Sequence, residues 1–148
     1  MNLEEYCKER ILFLEHRKVG EFVADLVPGI KQYTDWGPIN TVGFLDRDKN
    51  LIAGAVFSNY TGFDVQISLG AVSPRWATKR NLKILAVLVF DVFGCTRITS
   101  IVPESLTRAR EFNELSGFKL EGVQRQGFDG KEDAVFYGML RDDCRWLS

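Results

Sequence analysis

The chain has 148 residues, 19 Lys plus Arg against 20 Asp plus Glu, and 45% hydrophobic residues. That composition excludes a disordered, collagenous or low-complexity chain, and the length reads as a single domain over residues 1–148. A net charge of −1 gives no global pull toward nucleic acid or an anionic membrane, so any basic patch is local.

The longest unbroken apolar run, residues 84–90, falls far short of the roughly 20 residues that span a bilayer. Acids run through the start of the chain (Glu4, Glu5, Glu9, Glu15) with no apolar core behind them, so no secretory signal is visible. The reading is cytoplasmic, with no membrane partner. Cys7, Cys95 and Cys144 are odd in number and widely spaced, which does not describe a disulfide framework. The single histidine, His16, has no Cys/His companions at zinc-ligand spacing, so no metal is expected.

In chain order, Leu3, Tyr6, Ile11 and Leu14 recur at helical spacing and predict a helix over residues 2–17. A short second helix over 19–27 stops at Pro28-Gly29, and 28–40 reads as a long loop carrying Tyr33 and Trp36. Three strands follow, over 41–45, 51–59 and 63–72, joined by the polar turn 46–50 and by Tyr60-Thr61-Gly62. They read as an antiparallel meander. Ala53-Gly54-Ala55 marks a close approach and Gly70 a bulge, while Phe63, Val65, Ile67 and Leu69 alternate on one face. A helix over 78–93 ends at Gly94. A strand over 96–102 leads to a helix capped by Ser105 and closed by Ser116-Gly117. Strands over 118–127 and 134–140 form a hairpin with Asp129-Gly130 in its turn. The strand–helix–strand crossover in the middle implies a mixed α/β sheet with helices on its faces.

One segment stands out chemically. Arg75, Lys79, Arg80 and Lys83 lie within nine residues that hold no acid. Lys79 and Arg80 fall in the first turn of the predicted helix, the end that already carries about half a positive charge. Cations there are unfavourable until an anion docks, when free backbone N–H groups, dipole and side chains all converge on it. The alternative is a solvated basic patch whose stems cover Trp76.

Several motifs resemble the GNAT superfamily of acyl-CoA N-acyltransferases. Gly117-Phe118-Lys119-Leu120-Glu121-Gly122 with Arg125 is similar to the segment after that family's fourth helix. Phe93-Gly94-Cys95-Thr96-Arg97-Ile98 resembles the helix-to-strand passage of the ribosomal-protein N-terminal acetyltransferase branch. Asp129-Gly130, Asp133 and Tyr137-Gly138-Met139-Leu140-Arg141 resemble the terminal hairpin, and Val72-Ser73-Pro74 the opening of the cofactor loop. The chain also resembles short GNAT-like proteins of phages and prophages, which would place it in the host cytoplasm. The likeness covers about residues 70–147 and implies a central mixed, largely antiparallel twisted sheet, splayed at its fourth strand, with helices on both faces.

The resemblance implies transfer of an acetyl group from acetyl-CoA directly to an amine of a small molecule or protein, with no metal; a homodimer is left open. It places acyl-CoA against Leu69, Gly70, Val72, Arg75, Lys79, Arg80, Asn81 and Asn113. Backbone N–H groups near Leu69 to Val72 would polarise the thioester carbonyl. Asp64 stands about where some members carry a Glu base, or else closes a turn. Ser68 binds substrate or water, or fills the strand. Asn113 occupies the position often held by a Tyr, and it can offer sulfur a hydrogen bond but no proton of useful pKa. Tyr60 and Tyr137 are proton donors or packing; Tyr33 and Trp36 wall an acceptor pocket. Two further departures are Leu106, where an Asn often opens the fourth helix, and the stretch 77–82, which lacks the family's glycines.

His16 reads as a surface residue, Cys95 and Cys144 as inert, and Trp146 as an interface residue or one docked back on the domain. A catalytically silent GNAT-like protein that acts by binding is the second reading. Nucleic-acid modification is the third, and the neutral net charge argues against it.

Overall fold

The computed structural model describes residues 1–147. Its elements are α1 (Leu3–Arg10), β1 (Ile11–Phe13), α2 (His16–Ala24), β2 (Asn40–Leu45), β3 (Leu51–Ser58), β4 (Gln66–Ala71), α3 (Lys79–Val87), β5 (Arg97–Pro103), α4 (Thr107–Ser116), β6 (Lys119–Gln124) and β7 (Ala134–Leu140). The strands form a mixed, mostly antiparallel open sheet in the order β1-β2-β3-β4-β5-β7-β6. No helix among the described residues is long and apolar enough to cross a membrane. Contacts group the chain into two units, Met1–Asn59 with Ser68–Asn81, and Tyr60–Ile67 with the chain from Leu82 onward.

In the first unit the expected helix over 2–17 is a helix, α1, followed by a strand, β1, and the expected second helix over 19–27 is α2, His16–Ala24. Asn2 Oδ1 caps α1 by accepting from Glu5 N at 2.8 Å. The helix stops at Ile11 because Ile11-Leu12-Phe13 is an apolar run that pairs antiparallel with Phe44, Gly43 and Val42. Leu14, at φ 63°, turns the chain before His16 opens α2. The helical spacing of Ile11 and Leu14 was a coincidence of two elements meeting.

Helix α2 lies on β2, β3 and β4 through Val19 and Val23, which join Val56 in the core. The approach is close. A Cβ on Gly54 would stand 2.8 Å from both Val19 Cγ1 and Val23 Cγ2, and one on Gly43 3.1 Å from Val19 Cγ2. Gly70 serves the same seam, with Leu26 Cβ 3.1 Å from where its own Cβ would be. Beyond α2 the long loop is ordered by its own bonds. Asp35 accepts from the backbone N of Lys31 and Gln32 and sets a short 3₁₀ turn, Tyr33–Trp36. Trp36 then packs on the valine core. The turn after β2 is held by Asp46 Oδ1, which accepts from Asp48 N and Asn50 N at 2.9 Å each.

In the second unit the strand expected from Phe63 starts later. Asp64 N donates to Thr61 Oγ1 at 3.1 Å and Thr61 N to Asp64 O at 3.0 Å, closing a turn that leaves Phe63 59% exposed. β4 and β5 run parallel, with Gln66 opposite Thr99. α3 passes into a π-helical turn, Leu88–Val92, and Gly94 ends it at φ 70°. Ser105 does not cap α4. Leu106 holds that position without a side-chain bond, and Glu132 Oε1 accepts from Ser105 N instead. Gly117 closes α4 in the left-handed region, as expected. β6 and β7 pair antiparallel with a bulge between Leu120 and Gly122. Trp146 docks back, donating from Nε1 to Ser116 O at 2.9 Å.

Gly54→Ala should cost about 1–3 kcal/mol of unfolding free energy, because two branched valines must yield. Gly122→Ala, with nothing within 4 Å of the new atom, should stay within about 0.5 kcal/mol of the parent. Urea denaturation of the two variants measures both.

Candidate active site

The basic segment takes the form expected of it. Ser73 Oγ accepts from Arg75 N at 3.2 Å and starts a 3₁₀ turn, Pro74–Trp76. Thr78 N donates to Trp76 O at 2.8 Å, and Thr78 Oγ1 accepts from Asn81 N at 3.2 Å, capping α3. Helix geometry leaves the N–H groups of the first turn without intrahelical acceptors. Arg75, Lys79, Arg80 and Lys83 are all exposed, and among the described residues none forms an ion pair. Trp76 is buried against Phe44, ring centroids 5.2 Å apart.

Two of the expected ligand residues have other partners. Asn81 is 5% exposed; its Oδ1 accepts from Tyr6 Oη at 2.5 Å and its Nδ2 donates to Trp76 O at 2.7 Å. Arg80 lays its guanidinium over the Tyr6 ring, 4.5 Å from the centroid. Arg10, from the end of α1, stands 5.8 Å from the same ring. Tyr6 and Arg10 had no motif to announce them; the reading of 2–17 as one helix hid the packing of α1.

On β4, Ser68 and Leu69 are half-buried and Gly70 is buried; Val72, just past the strand's end, is exposed. Val72 N already donates to Ile52 O at 2.9 Å. Alternation along a strand turns the N–H groups of Leu69 and Ala71 away from β3.

In the second unit Asp64 belongs to a charged cluster. Both its carboxylate oxygens accept from Thr99 Oγ1, at 2.8 and 3.0 Å, and Oδ1 also accepts from Arg97 Nε at 3.3 Å. Arg97 holds Glu121 with its other face, at 2.6 and 3.2 Å. These bonds hold the guanidinium firmly charged, the Glu121 hydrogen bond foremost. Glu121 reaches Arg97 by crossing β7 at Gly138, where a Cβ would stand 2.4 Å from the carboxyl group. Nothing in sequence spacing links positions 64, 97 and 121; the sheet register does.

Asn113 is buried, and its Nδ2 donates to Ser100 Oγ at 3.1 Å. Tyr137 is fully buried, accepting from Arg110 Nε at 3.3 Å, and the exposed Tyr60 donates to Phe93 O at 2.9 Å. His16 is not a plain surface residue. It is half-buried, and its Nδ1 accepts from Thr41 N at 3.0 Å, which puts the proton of the neutral ring on Nε2. Burial pushes the thiols of Cys95 and Cys7 up from the ordinary range, Asp64 adding to the first and Arg80 opposing the second. Among the described residues no group of three or more His, Cys, Asp or Glu is placed to hold a metal ion.

Removing Arg97 takes the shared cation from two partly exposed carboxylates. Arg97→Met should therefore destabilise the fold by about 1–2 kcal/mol, a value reduced for solvent screening, and Glu121→Gln by less. Thermal or urea unfolding at low and high salt checks this, and the deficit should shrink in salt.

No protein-family model and no curated protein matches the sequence. Solved structures match over nearly its whole length. A point mutant of the spermidine N-acetyltransferase SpeG from Vibrio cholerae aligns with a TM-score of 0.69 at 16% identity, over 93% of this chain and 95% of that one. SpeG from the same organism in complex with manganese ions gives 0.64 at 18%, over 89% and 92%. A probable acetyltransferase gives 0.66 at 18%, over 89% and 92%. The chain thus carries the fold of the GNAT acetyltransferases, the mixed and mostly antiparallel open sheet.

Proposed function

We propose that this protein is an N-acyltransferase that moves an acetyl group from acetyl-CoA to an amine. The observation that carries the reading is the start of α3: exposed cations without carboxylate partners, on a helix end, in a chain with an acetyltransferase fold. Arg75, Lys79 and Arg80 would hold the ligand's phosphates. Without glycines in 77–82, side-chain charge replaces a bare backbone cradle. Asn81 contributes by shaping the loop, since its amide is bonded at both ends.

Acetyl-CoA supplies an activated thioester carbonyl. Attack by a neutral amine forms the C–N bond, breaks the C–S bond and releases one proton from nitrogen. The N–H groups of Leu69 and Ala71, turned away from β3, are the candidate donors to the carbonyl oxygen. Asn113 is the candidate donor to the departing sulfur, with Ser100 orienting its amide. Asp64 is the candidate proton acceptor, with Thr99 and Arg97 fixing the carboxylate's orientation. Ser68 is a candidate contact for acceptor or water. The neighbours named for spermidine make a polyamine the first acceptor to test, and the likeness to ribosomal-protein acetyltransferases makes a peptide N-terminus the second.

A binding protein without turnover is favoured by two observations: Asn113 stands in place of a proton-donating Tyr, and both oxygens of Asp64 already accept hydrogen bonds.

Calorimetric titration with acetyl-CoA should give a micromolar Kd for the parent and at least about tenfold weaker binding for the Arg75→Glu/Lys79→Glu variant. Absence of binding to the parent refutes the acyl-CoA reading. Binding with no thiol released from acetyl-CoA, whether spermidine or a peptide is offered, leaves the binding-protein reading. If turnover is found, Asp64→Asn should lower kcat by about 10²-fold or more with KM for acetyl-CoA little changed.

A further inference from the structure

We infer that the N-terminal helix is part of the acyl-CoA site, and that Tyr6 is a positioning residue that presents Arg80 and the first turn of α3 to the ligand's phosphates. The inference rests on the acyl-CoA reading above.

Tyr6 is the buried residue of α1, and it touches the basic segment in two ways. Its hydroxyl donates to Asn81 Oδ1 at 2.5 Å, while the other end of that amide donates to Trp76 O at 2.7 Å. Trp76 and Asn81 bracket residues 77–80, so one phenol ties α1 to both ends of the loop. Its ring face carries the Arg80 guanidinium, 4.5 Å from the centroid. Arg10 lies 5.8 Å from the same ring's centroid, so two guanidiniums from two helices meet one aromatic ring. Among the described residues neither is ion-paired.

This arrangement addresses a specific difficulty. Arg80 sits where the helix dipole repels it, and a long free side chain there would point away into water. The aromatic face offsets part of that repulsion and selects one orientation. A ligand that meets a preset guanidinium loses less to ordering it than one that must fix a mobile chain. A loop without glycines holds its phosphates by side chains, so their orientation matters more than in a backbone cradle. The class of ligand is an organic ester of pyrophosphate, and inorganic pyrophosphate carries the shared chemistry.

The test is a double-mutant cycle read by calorimetry with CoA and with inorganic pyrophosphate. Arg80→Ala should weaken CoA about tenfold in the parent and less than about threefold in a Tyr6→Leu background, because the ring that gives Arg80 its orientation is gone. Tyr6→Met is a second ringless variant should Tyr6→Leu fail to fold. Tyr6→Phe keeps the ring and loses the Asn81 bond; it should retain most of the coupling to Arg80. A purely structural Tyr6 would lower the melting temperature and leave the Arg80→Ala effect equal in both backgrounds, and that result overturns the inference while the acyl-CoA reading stands. A parent that binds neither CoA nor pyrophosphate overturns both.

Discussion

The closeness of α2 to the sheet is the constraint on which the first unit depends. Gly43 and Gly54 face each other across β2 and β3, and Gly70 follows on β4. Three absent side chains on adjacent strands let Val19 and Val23 descend onto the backbone and reach Val56. Close packing of this kind is stiff, since each methyl group has no free volume to move into. It fixes the distance from α2 to β4, and β4 leads directly into the turn that opens α3. The anchored end of the basic segment therefore inherits its place from a seam of glycines.

Charge is handled differently in the two units. In the second, Arg97 is matched by two carboxylates, and the cluster is close to self-sufficient. In the first, Arg75, Lys79 and Arg80 have aromatic and solvent neighbours in place of acids. A protein that can neutralise one arginine so thoroughly, yet leaves four cations unmatched within nine residues, carries a local imbalance of the kind a bound anion corrects.

Much of this was legible in the sequence. The order of elements from residue 41 onward follows from period-2 and period-3.6 patterns bounded by Gly and Asp-Gly signals, and so does the place of Lys79 and Arg80 in the first turn of a helix. The first 17 residues were misread because Leu3, Tyr6, Ile11 and Leu14 fit one helix as well as they fit a helix and a strand. Only pairing with β2 decides, and that is a long-range fact. Gly70 was read as a bulge, though a helix pressing on it leaves the same mark. The Ser105 cap failed because α4 starts one residue later than expected, at Thr107, which puts Leu106 in the cap position. The partners of Asp64 were hidden because the sheet order β5-β7-β6 brings Arg97 and Glu121 within reach, and no local pattern encodes it.

The passage of Glu121 over Gly138 has a consequence for how the sequence can drift. A side chain at position 138 would occupy the space that the carboxylate now fills. Once a mutation puts even a methyl group there, the carboxyl end of Glu121 must shift from the path it now takes to Arg97. Conversely, if Glu121 shortens or vanishes, position 138 is released from its requirement for glycine. The two sites, on neighbouring strands and seventeen residues apart, thus constrain each other. In a set of descendants of this chain, a glycine at the one should travel with a long acid at the other, and the loss of either should be followed by relaxation of its partner.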